Sequence, residues 1–437
     1  MLRLKRAAIL IEDESQGTGL LFEAQDSMDE HPRAHDVDAG DFATLKALAT
    51  GVGDLDASVL AAWKQAVPGL VRADSVDDEL LELRAFAADR RFTLEFFSAT
   101  EAIALDLDTA AYHQEVIDDA DVQFDDVETT LAHLFALPAP ALQGRTFGGA
   151  FCDSIISTWA SAGATTLRVV ELGCGTGRFA HDFLARLQQT RPELYAAVAY
   201  TLVDLSPALQ RSQRVRCAPH GGRCEFVLHD LLTFAPAQGY DVVISNEVIA
   251  DLPARACYRD EVNVDEGAAA ACVKRHNLSL EGVPHAVLIN TGAVALVERL
   301  QQLLTPGGVA VVTEYGSLSR APIRVVLGAH VEHSIHFGHL QSAATQVGLN
   351  AQCLSVVDWL GMNEAAEVIE LLNLDVLRRA VGPFLGLAAL PRMAFSHAQI
   401  ESWLGKNLCR VHGLRFVSVG LHPMRADLFW ALVAHRV

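Results

Sequence analysis

The chain has 437 residues, of which 51% are hydrophobic and 20% charged, a composition typical of a globular protein with two or three domains. Its 54 acidic and 34 basic residues give a formal net charge of −20, which disfavours nucleic acid and anionic membranes as partners. No apolar run reaches the roughly 18 residues that a membrane-spanning helix needs. The 8 cysteines form no CxxC pair, so we expect reduced thiols in a cytoplasmic protein.

The N-terminal extension, residues 1–140, is the most acidic part of the chain. Apolar runs at 7–11 and 19–23 predict two strands, and apolar residues at helical spacing predict helices over 41–66 and 78–89. We therefore expect an α-rich, mixed α/β domain. Two roles stay open for it: recognition of a peptide or protein substrate, or completion of the fold as a cover over the pocket.

From Leu167 onward, apolar strands alternate with helical segments, which indicates parallel β-α-β units and a doubly wound sheet. We expect an α/β fold with a Rossmann-like, seven-stranded sheet. The strands of this core are predicted at 167–172, 199–205, 224–230, 240–247 and 307–316, with helices between them that include 179–189 and 293–304.

The predicted core spans residues 141–345, and residues 346–437 complete the catalytic domain with further strands at 351–360 and 416–423. The connection over 254–290 is longer than connections in compact domains usually are. We interpret it as an insertion that caps the substrate site, with a dimerisation arm as the alternative.

A glycine-rich loop follows the first core strand: Gly173, Gly175 and Gly177 begin two residues after Glu171. Glycine allows the chain to turn sharply and lets a ligand touch the backbone. Loops that hold the pyrophosphate of a dinucleotide have G-x-G-x-x-G spacing instead. A carboxylate before the loop repels pyrophosphate but suits the sulfonium and ammonium groups of S-adenosylmethionine (SAM). The loop therefore predicts a SAM site rather than a nicotinamide dinucleotide site.

The next three strands also end in polar side chains, at the edge where open α/β sheets bind ligands. Asp204, with Leu205 beside it, is predicted to accept both ribose hydroxyls. Asp230 is predicted to meet the adenine amino group, with Leu231 against the ring. Asn246 ends the fourth strand and completes the predicted cofactor site.

Methyl transfer is an in-line displacement, for which an enzyme mainly aligns the acceptor and excludes water. If the acceptor is a guanidinium or an amine, carboxylates have to hold it and take its proton. Glu247 is the first candidate because it ends the fourth strand, and Asp251 is expected on the same helical face. Histidines recur every three residues over 330–339, which favours a His-rich helix face over a metal site. We select His336 as a third catalytic candidate and expect no metal.

Three segments carry a family resemblance. The sequence resembles the MidA family of class I SAM-dependent methyltransferases, in a divergent form with a long N-terminal extension. Residues 200–213 are similar to the family's V-E-x-S-P-x-L-x-x-x-Q stretch, 246–253 to its N-E-x-x-D-A-L-P motif and 314–316 to its D-Y-G. The family includes the mitochondrial complex I assembly factor that methylates an arginine side chain of a partner subunit. The resemblance implies SAM as the cofactor and S-adenosylhomocysteine (SAH) as its product.

These features favour an enzyme that methylates a guanidine or amine nitrogen of a peptide, a protein or a cationic metabolite. One alternative is an O- or N-methyltransferase of a small natural product. Another is a nonenzymatic, SAM-binding assembly factor. Homodimerisation stays open, and neither nucleic acid nor membrane is expected as a partner.

Overall fold

The computed structural model describes residues 6–13, 18–25, 34–37, 92–98, 109–115, 130–159, 164–258, 267–281, 286–327, 330–366, 368–371, 393–394, 416–419 and 428–437. The chain divides into two compact units, residues 2–106 and residues 107–437. The second unit contains the glycine loop and all of the predicted site residues.

The described part of the first unit is a sheet of four strands in the order β3-β2-β1-β4. These strands are β1 (Arg6–Asp13), β2 (Thr18–Gln25), β3 (Ala34–Val37) and β4 (Phe92–Ser98). β1 is antiparallel to β2 and parallel to β4. The strands predicted at 7–11 and 19–23 are thus present, whereas the helices predicted at 41–66 and 78–89 lie outside the described residues.

The described strands of the second unit are, in chain order, β5 (Leu167–Leu172), β6 (Val198–Asp204), β7 (Cys224–Leu228), β8 (Tyr240–Asn246), β9 (Arg255–Tyr258), β10 (Ala286–Ile289), β11 (Leu304–Ser317), β12 (Arg324–Leu327), β13 (His330–His333), β14 (Ile335–His336), β15 (Leu349–Ser355), β16 (Val368–Leu371), β17 (Met393–Ala394), β18 (Phe416–Val419) and β19 (Phe429–Arg436). Its described helices are α1 (Thr109–Glu115), α2 (Leu131–Leu134), α3 (Phe147–Trp159), α4 (Arg178–Thr190), α5 (Pro192–Ala196), α6 (Pro207–Arg216), α7 (Ala268–His276), α8 (Thr291–Leu303), α9 (Phe337–Gln346) and α10 (Val356–Leu360). Short 3-10 turns cover Pro140–Leu142, Ala218–Arg223 and Ile249–Asp251.

Within the described residues, the main sheet has the strand order β15-β19-β11-β8-β5-β6-β7, and the two-residue strand β14 pairs with the end of β11. β5, β6, β7, β8 and β11 are parallel, whereas β19 is antiparallel to both β11 and β15. The strand order reverses between β5 and β8, so a ligand crevice is expected at their carboxyl ends. The predicted Rossmann-like α/β fold is confirmed.

Helices cover both faces of this sheet, which explains its nearly continuous apolar strands. On one face, Leu296 and Leu300 of α8 and Leu340 of α9 belong to one buried cluster with Val243 of β8. On the other face, Phe183 of α4 packs against Tyr200 of β6, with 5.7 Å between the ring centroids. The core therefore lies in two layers around one sheet.

The C-terminal part corrects one prediction. The predicted strand at 351–360 is wrong in its second half, because β15 ends at Ser355 and α10 follows. The Ser355 hydroxyl accepts a hydrogen bond from the Asp358 backbone N–H at 3.0 Å, so serine begins the helix as an N-cap. The strand predicted at 416–423 is present over its first four residues as β18, and its remainder lies outside the described residues.

The insertion after β8 has a small core of its own. β9 pairs with β10 in antiparallel register, and α7 lies between them in the chain. Cys257, Val273 and Ile289 form a buried cluster with their neighbours in these elements. No helix in the described ranges is long and apolar enough to cross a bilayer.

Candidate functional site

The glycine loop connects β5 to α4 at the carboxyl edge of the sheet. Gly173, Gly175 and Gly177 all have positive φ angles, of 74°, 50° and 77°. A Cβ atom on Gly173 would lie 2.1 Å from Val248 Cγ2, so the loop and the segment after β8 touch directly. The loop is thus a tight cradle of backbone that only glycine can form.

The carboxylate of Asp204 holds this cradle together. Its Oδ2 accepts a hydrogen bond from the Gly175 backbone N–H at 3.0 Å, and its Oδ1 accepts one from the Ser206 N–H at 2.9 Å. Burial raises the pKa of Asp204 to about 6, although both backbone N–H groups oppose that shift. Leu205 lies between Asp204 and Ser206 in the chain and is partly exposed. Asp204 therefore stands where it was predicted, and its ribose contact stays a prediction.

Gln213 of α6 supports the same loop from below. Its Nε2 donates to the Gly175 carbonyl at 2.8 Å. Its Oε1 is buried and has no hydrogen-bond partner among the described residues, and the same is true of Ser245 Oγ at the end of β8. Buried polar atoms of this kind are ordinarily satisfied by water or a ligand. Together with the glycine cradle, they fit a polar cofactor such as SAM.

Glu171 lies underneath the loop. It is 2% exposed, and the Tyr200 hydroxyl donates to its Oε2 at 2.7 Å. Burial raises its pKa to about 8, against the opposing effect of the Tyr200 hydrogen bond. A carboxyl with this pKa is mostly uncharged at neutral pH. The predicted attraction to the sulfonium therefore requires that the bound cation lower the pKa of Glu171, so that the carboxyl loses its proton. The contact itself stays a prediction.

The raised pKa of Glu171 predicts a pH dependence of stability. Between its ordinary pKa and about 8, the folded protein keeps a proton that the unfolded chain has lost, so stability falls as pH rises across this window. Between about pH 5 and pH 8.5, we expect the free energy of unfolding of Glu171→Gln to fall by about 2 to 4 kcal/mol less than that of the parent. Urea unfolding at each pH measures this difference. Glu225→Gln, which changes an exposed acid on β7, two strands away in the same sheet, is the control. Equal slopes for Glu171→Gln and the parent would contradict the assignment.

The third strand end carries the predicted adenine site. Asp230 Oδ1 accepts a hydrogen bond from the Leu232 backbone N–H at 2.7 Å, which fixes the turn after β7. Leu231 is 8% exposed and belongs to the core cluster beneath the edge. The structure thus brings Asp230 and Leu231 to the same edge as Asp204, while their contacts with adenine stay predictions.

Glu247 follows β8 with a φ of 52°, a left-handed conformation that a non-glycine residue rarely adopts. Both of its carboxylate oxygens lie 3.0 Å from the Leu131 backbone N, at the first residue of α2. Asn246 Nδ2 donates to Glu247 Oε1 at 3.1 Å, and Asn246 Oδ1 accepts from the Thr313 hydroxyl at 2.8 Å. Burial raises the pKa of Glu247 to about 8, and the negative charge of Glu332 adds to that shift.

Two further carboxylates lie near Glu247 and were missed as site residues. Glu314 is 2% exposed and accepts from the Ala250 and Tyr315 backbone N–H groups at 3.2 Å and 3.0 Å. Burial raises its pKa well above the ordinary value, and the charges of Glu332 and Glu247 raise it further. Glu314 lies near the end of β11, so the strand-end rule applied to the first four strands would have found it. Glu332 lies on β13.

The expectation that Asp251 shares a helical face with Glu247 is wrong. Residues 249–251 form a single 3-10 turn, and the left-handed Glu247 stops any helix from beginning at the strand end. Asp251 instead pairs with a residue of α1: its Oδ2 lies 3.3 Å from His113 Nε2. Helix α1 therefore reaches the carboxyl edge of the sheet, a contact that the sequence did not predict.

The predicted His-rich helix face is also wrong. His330 and His333 lie on β13, and α9 begins only after His336, so a spacing of three spans a strand and a helix start. His336 Nδ1 accepts from the His339 N–H at 3.1 Å, and the two rings stack with centroids 3.6 Å apart. Burial lowers the pKa of His336 to about 4. The geometry makes His336 a helix cap and does not support its predicted role as a base.

Helix α2 contacts the glycine loop. His133 of α2 has Nε2 3.4 Å from the Thr176 hydroxyl, which also accepts from Arg216 Nη1 at 2.7 Å. Burial lowers the pKa of His133 to about 3, and the charges of Arg178 and Arg216 add to that shift. α2 is therefore fixed between the loop at one side and Glu247 at the other.

The chain is similar to solved structures and to one family model. Among solved structures, the chain is similar to an uncharacterized COG1565 superfamily protein from Burkholderia thailandensis, at 17% identity and a TM-score of 0.42, over 75% of this chain and 91% of that chain. It is also similar to a COG1565 superfamily member from the same organism solved with bound S-adenosyl-homocysteine, at 16% identity and a TM-score of 0.40, over 70% of this chain and 78% of that chain. A comparison with curated proteins finds no match. Residues 150–367 match the family model described as "Putative S-adenosyl-L-methionine-dependent methyltransferase". By this match the chain is a SAM-dependent methyltransferase, and SAM is its cofactor.

Proposed function

We propose that the chain transfers the methyl group of SAM to a guanidine or amine nitrogen of a peptide, a protein or a cationic metabolite. The main support for this proposal is a group of three carboxylates beside the carboxyl edge of the sheet: Glu247, Glu314 and Glu332. Burial is the main cause of the raised pKa values of Glu247 and Glu314, and repulsion from neighbouring carboxylates of the group raises both values further. A cation entering the group relieves that repulsion, whereas a neutral or anionic acceptor does not.

Within this group, Glu247 is the proposed base. SAM supplies the electrophilic methyl group when it is bound. Glu247 accepts the proton that the acceptor nitrogen loses, and its left-handed backbone holds the carboxylate at the strand end. Glu332, together with Glu314 once a bound cation lowers its raised pKa, supplies negative charge that orients a cationic acceptor. The segment that carries Leu131 packs over Glu247 and excludes water from this part of the edge.

The motif resemblance supports a finer proposal, that the chain is a MidA-like enzyme. In the resembling stretches, Asp204 and Gln213 hold the glycine loop, Asn246 and Glu247 end β8, and Glu314 lies near the end of β11. These are the residues that build the edge. An arginine-type acceptor on a protein is consistent with both the resemblance and the three carboxylates, and residues 1–140 then serve as a recognition domain.

Glu247→Gln is the variant that tests the base. The glutamine oxygen still accepts from Leu131 and keeps the α2 contact, but the amide cannot take a proton. We expect methyl transfer to fall about 100-fold or more while SAH binding, measured by calorimetry, changes less than about threefold. Glu298→Gln, a partly exposed acid that pairs with His276, is the matched control. Unchanged turnover in Glu247→Gln would rule out its role as base.

The same role predicts a pH profile. Because the base acts when unprotonated and the pKa of Glu247 is raised to about 8, kcat/KM should rise with pH up to about 8 and then level off. Transfer of labelled methyl at subsaturating acceptor concentration measures this profile. A rate that is flat from about pH 6 to pH 8 would contradict the assignment of Glu247.

A further inference from the structure

The end of α6 turns one face toward the glycine loop. Gln213 Nε2 donates to one carbonyl of the loop at 2.8 Å, and Cys217 Sγ donates to another at 3.6 Å. Between them, Arg216 Nη1 donates to the Thr176 hydroxyl at 2.7 Å. Residues three and four positions apart share one face of a helix, so these three side chains reach the loop together. Arg216 is the charged member of this face.

The guanidinium of Arg216 extends to a buried group, although most arginine side chains end in water. Its partner Thr176 is 1% exposed. Arg214, on the same helix, is exposed and lies with its guanidinium carbon 4.8 Å from the Phe226 ring centroid. The helix dipole favours arginine in the last turn, which accounts for both residues equally. It does not account for the contact of Arg216 with the cofactor loop.

The contact fixes the Arg216 guanidinium without neutralising it. The Thr176 hydroxyl is uncharged, and the second group at this hydroxyl is His133, with its Nε2 3.4 Å away. Burial lowers the pKa of His133 to about 3, and the charges of Arg178 and Arg216 lower it further, so His133 is neutral at physiological pH. The hydrogen-bonded set of Arg216, Thr176 and His133 therefore carries one net positive charge at the glycine loop.

A positive charge at the loop matters because acids surround the rest of this edge. Asp204, Asp230 and Glu247 all end or follow strands there. They suit the sulfonium and ammonium groups of SAM but repel its carboxylate. A carboxylate that leaves water needs a cation or N–H donors, and an arginine held on the loop supplies both. The N-terminal dipole of the 13-residue helix α4, which begins beside the same loop, adds to the favourable potential.

We propose that Arg216 binds the carboxylate at the methionine end of SAM, and that Thr176 positions the guanidinium for this contact. A guanidinium presents its N–H donors as a planar fork that matches the two oxygens of a carboxylate. The hydrogen bond to Thr176 holds one nitrogen of this fork against the loop and thereby sets its orientation. The assignment concerns the cofactor only and holds for any methyl acceptor.

Two ligands that differ only in the carboxylate test this contact. SAH carries the carboxylate, whereas S-adenosyl-3-thiopropylamine keeps the adenosine, the sulfur and the amino group but lacks it. Calorimetry measures the affinity of the full-length protein for each ligand. We expect the parent to prefer SAH about 30- to 100-fold, as for a charge-assisted hydrogen bond. Arg216→Met keeps the apolar stem of the side chain, so it should lose most of this preference and bind the amine within about threefold of the parent.

Arg214→Met is the matched control, because it removes an exposed guanidinium from the same helix, and it should prefer SAH as strongly as the parent. Urea unfolding establishes that each variant is folded. If Arg216→Met does not fold, Arg216→Lys decides, since lysine keeps the charge but not the fork: its preference for SAH should be about three- to tenfold smaller than that of the parent.

Three results would overturn the proposal. A parent that binds both ligands equally well has no carboxylate site. An Arg216→Met variant that loses affinity for both ligands by the same factor would show that Arg216 only supports the loop. An Arg216 variant with the full preference of the parent would show that another group holds the carboxylate. None of these results depends on the methyl acceptor, so they are independent of the product analysis that tests the proposed function.

Discussion

Gly173→Ala should lower the free energy of unfolding by about 2 to 4 kcal/mol and abolish measurable SAM binding. Gly173 has a φ of 74°, and an alanine Cβ would lie 2.1 Å from Val248 Cγ2 and 2.8 Å from Val248 Cβ. Because the β-branched valine cannot turn aside from both contacts, the backbone of the loop has to move. Urea unfolding measures the stability, and calorimetry with SAH measures binding.

Two controls separate the clash from the strain of a positive φ. Gly361 has a left-handed backbone, with φ 61° and ψ 46°, and open space around its Cβ position, so Gly361→Ala carries the backbone strain alone, about 1 kcal/mol. In the double variant Gly173→Ala with Val248→Ala, the contacts with the valine methyl groups disappear, and part of the lost stability should return. If Gly173→Ala costs no more stability than Gly361→Ala, the close approach of the loop to Val248 is wrong.

Asp204→Asn should weaken SAM binding about 30- to 100-fold. The carboxylate accepts from Gly175 on one oxygen and from Ser206 on the other. An asparagine amide has one oxygen only, so its NH₂ group must face one of these N–H donors, and the cradle opens on that side. If the same carboxylate also receives the ribose hydroxyls, that contact is lost as well. Calorimetric titration with SAH measures the combined effect.

Asp241→Asn is the matched control for this variant. Asp241 lies near the amino end of β8, at the opposite edge of the sheet, and it also accepts from two donors: the Arg168 backbone N–H at 2.8 Å and the Thr305 hydroxyl at 3.0 Å. Its replacement should lower stability comparably but leave SAH affinity unchanged. Equal SAH affinity for Asp204→Asn and the parent would show that Asp204 takes no part in cofactor binding.

The sheet was predictable because its parallel strands are buried on both faces and therefore read as continuous apolar runs. The glycine loop and the positions of Asp204, Asp230 and Asn246 followed from the same pattern, since the chain ends each strand at one edge. Ser355 shows where the pattern fails: an apolar run continues through it, but its side chain caps a helix and ends the strand. Local hydrogen-bonding groups decided that boundary.

The other misses have a different cause, because they depend on contacts between distant parts of the chain. Glu247 meets Leu131, 116 residues earlier, and no spacing rule connects the two. Histidines at intervals of three suggested one helix. In the structure, however, His330 and His333 lie on a strand, and His336 precedes the first residue of a helix. The carboxylate pair that Glu314 and Glu332 add to the site arises only when β13 returns to the sheet edge.

The chemical identity of the methylated product tests the central proposal most directly. The parent and Glu247→Gln are incubated with methyl-labelled SAM and an extract of cells that make the protein, and the products are separated by size, hydrolysed in acid and analysed for methylated amino acids and amines. The account predicts acid-stable label on a guanidine or amine nitrogen, formed by the parent and strongly reduced in Glu247→Gln. Label on oxygen, or equal labelling by both proteins, would contradict it.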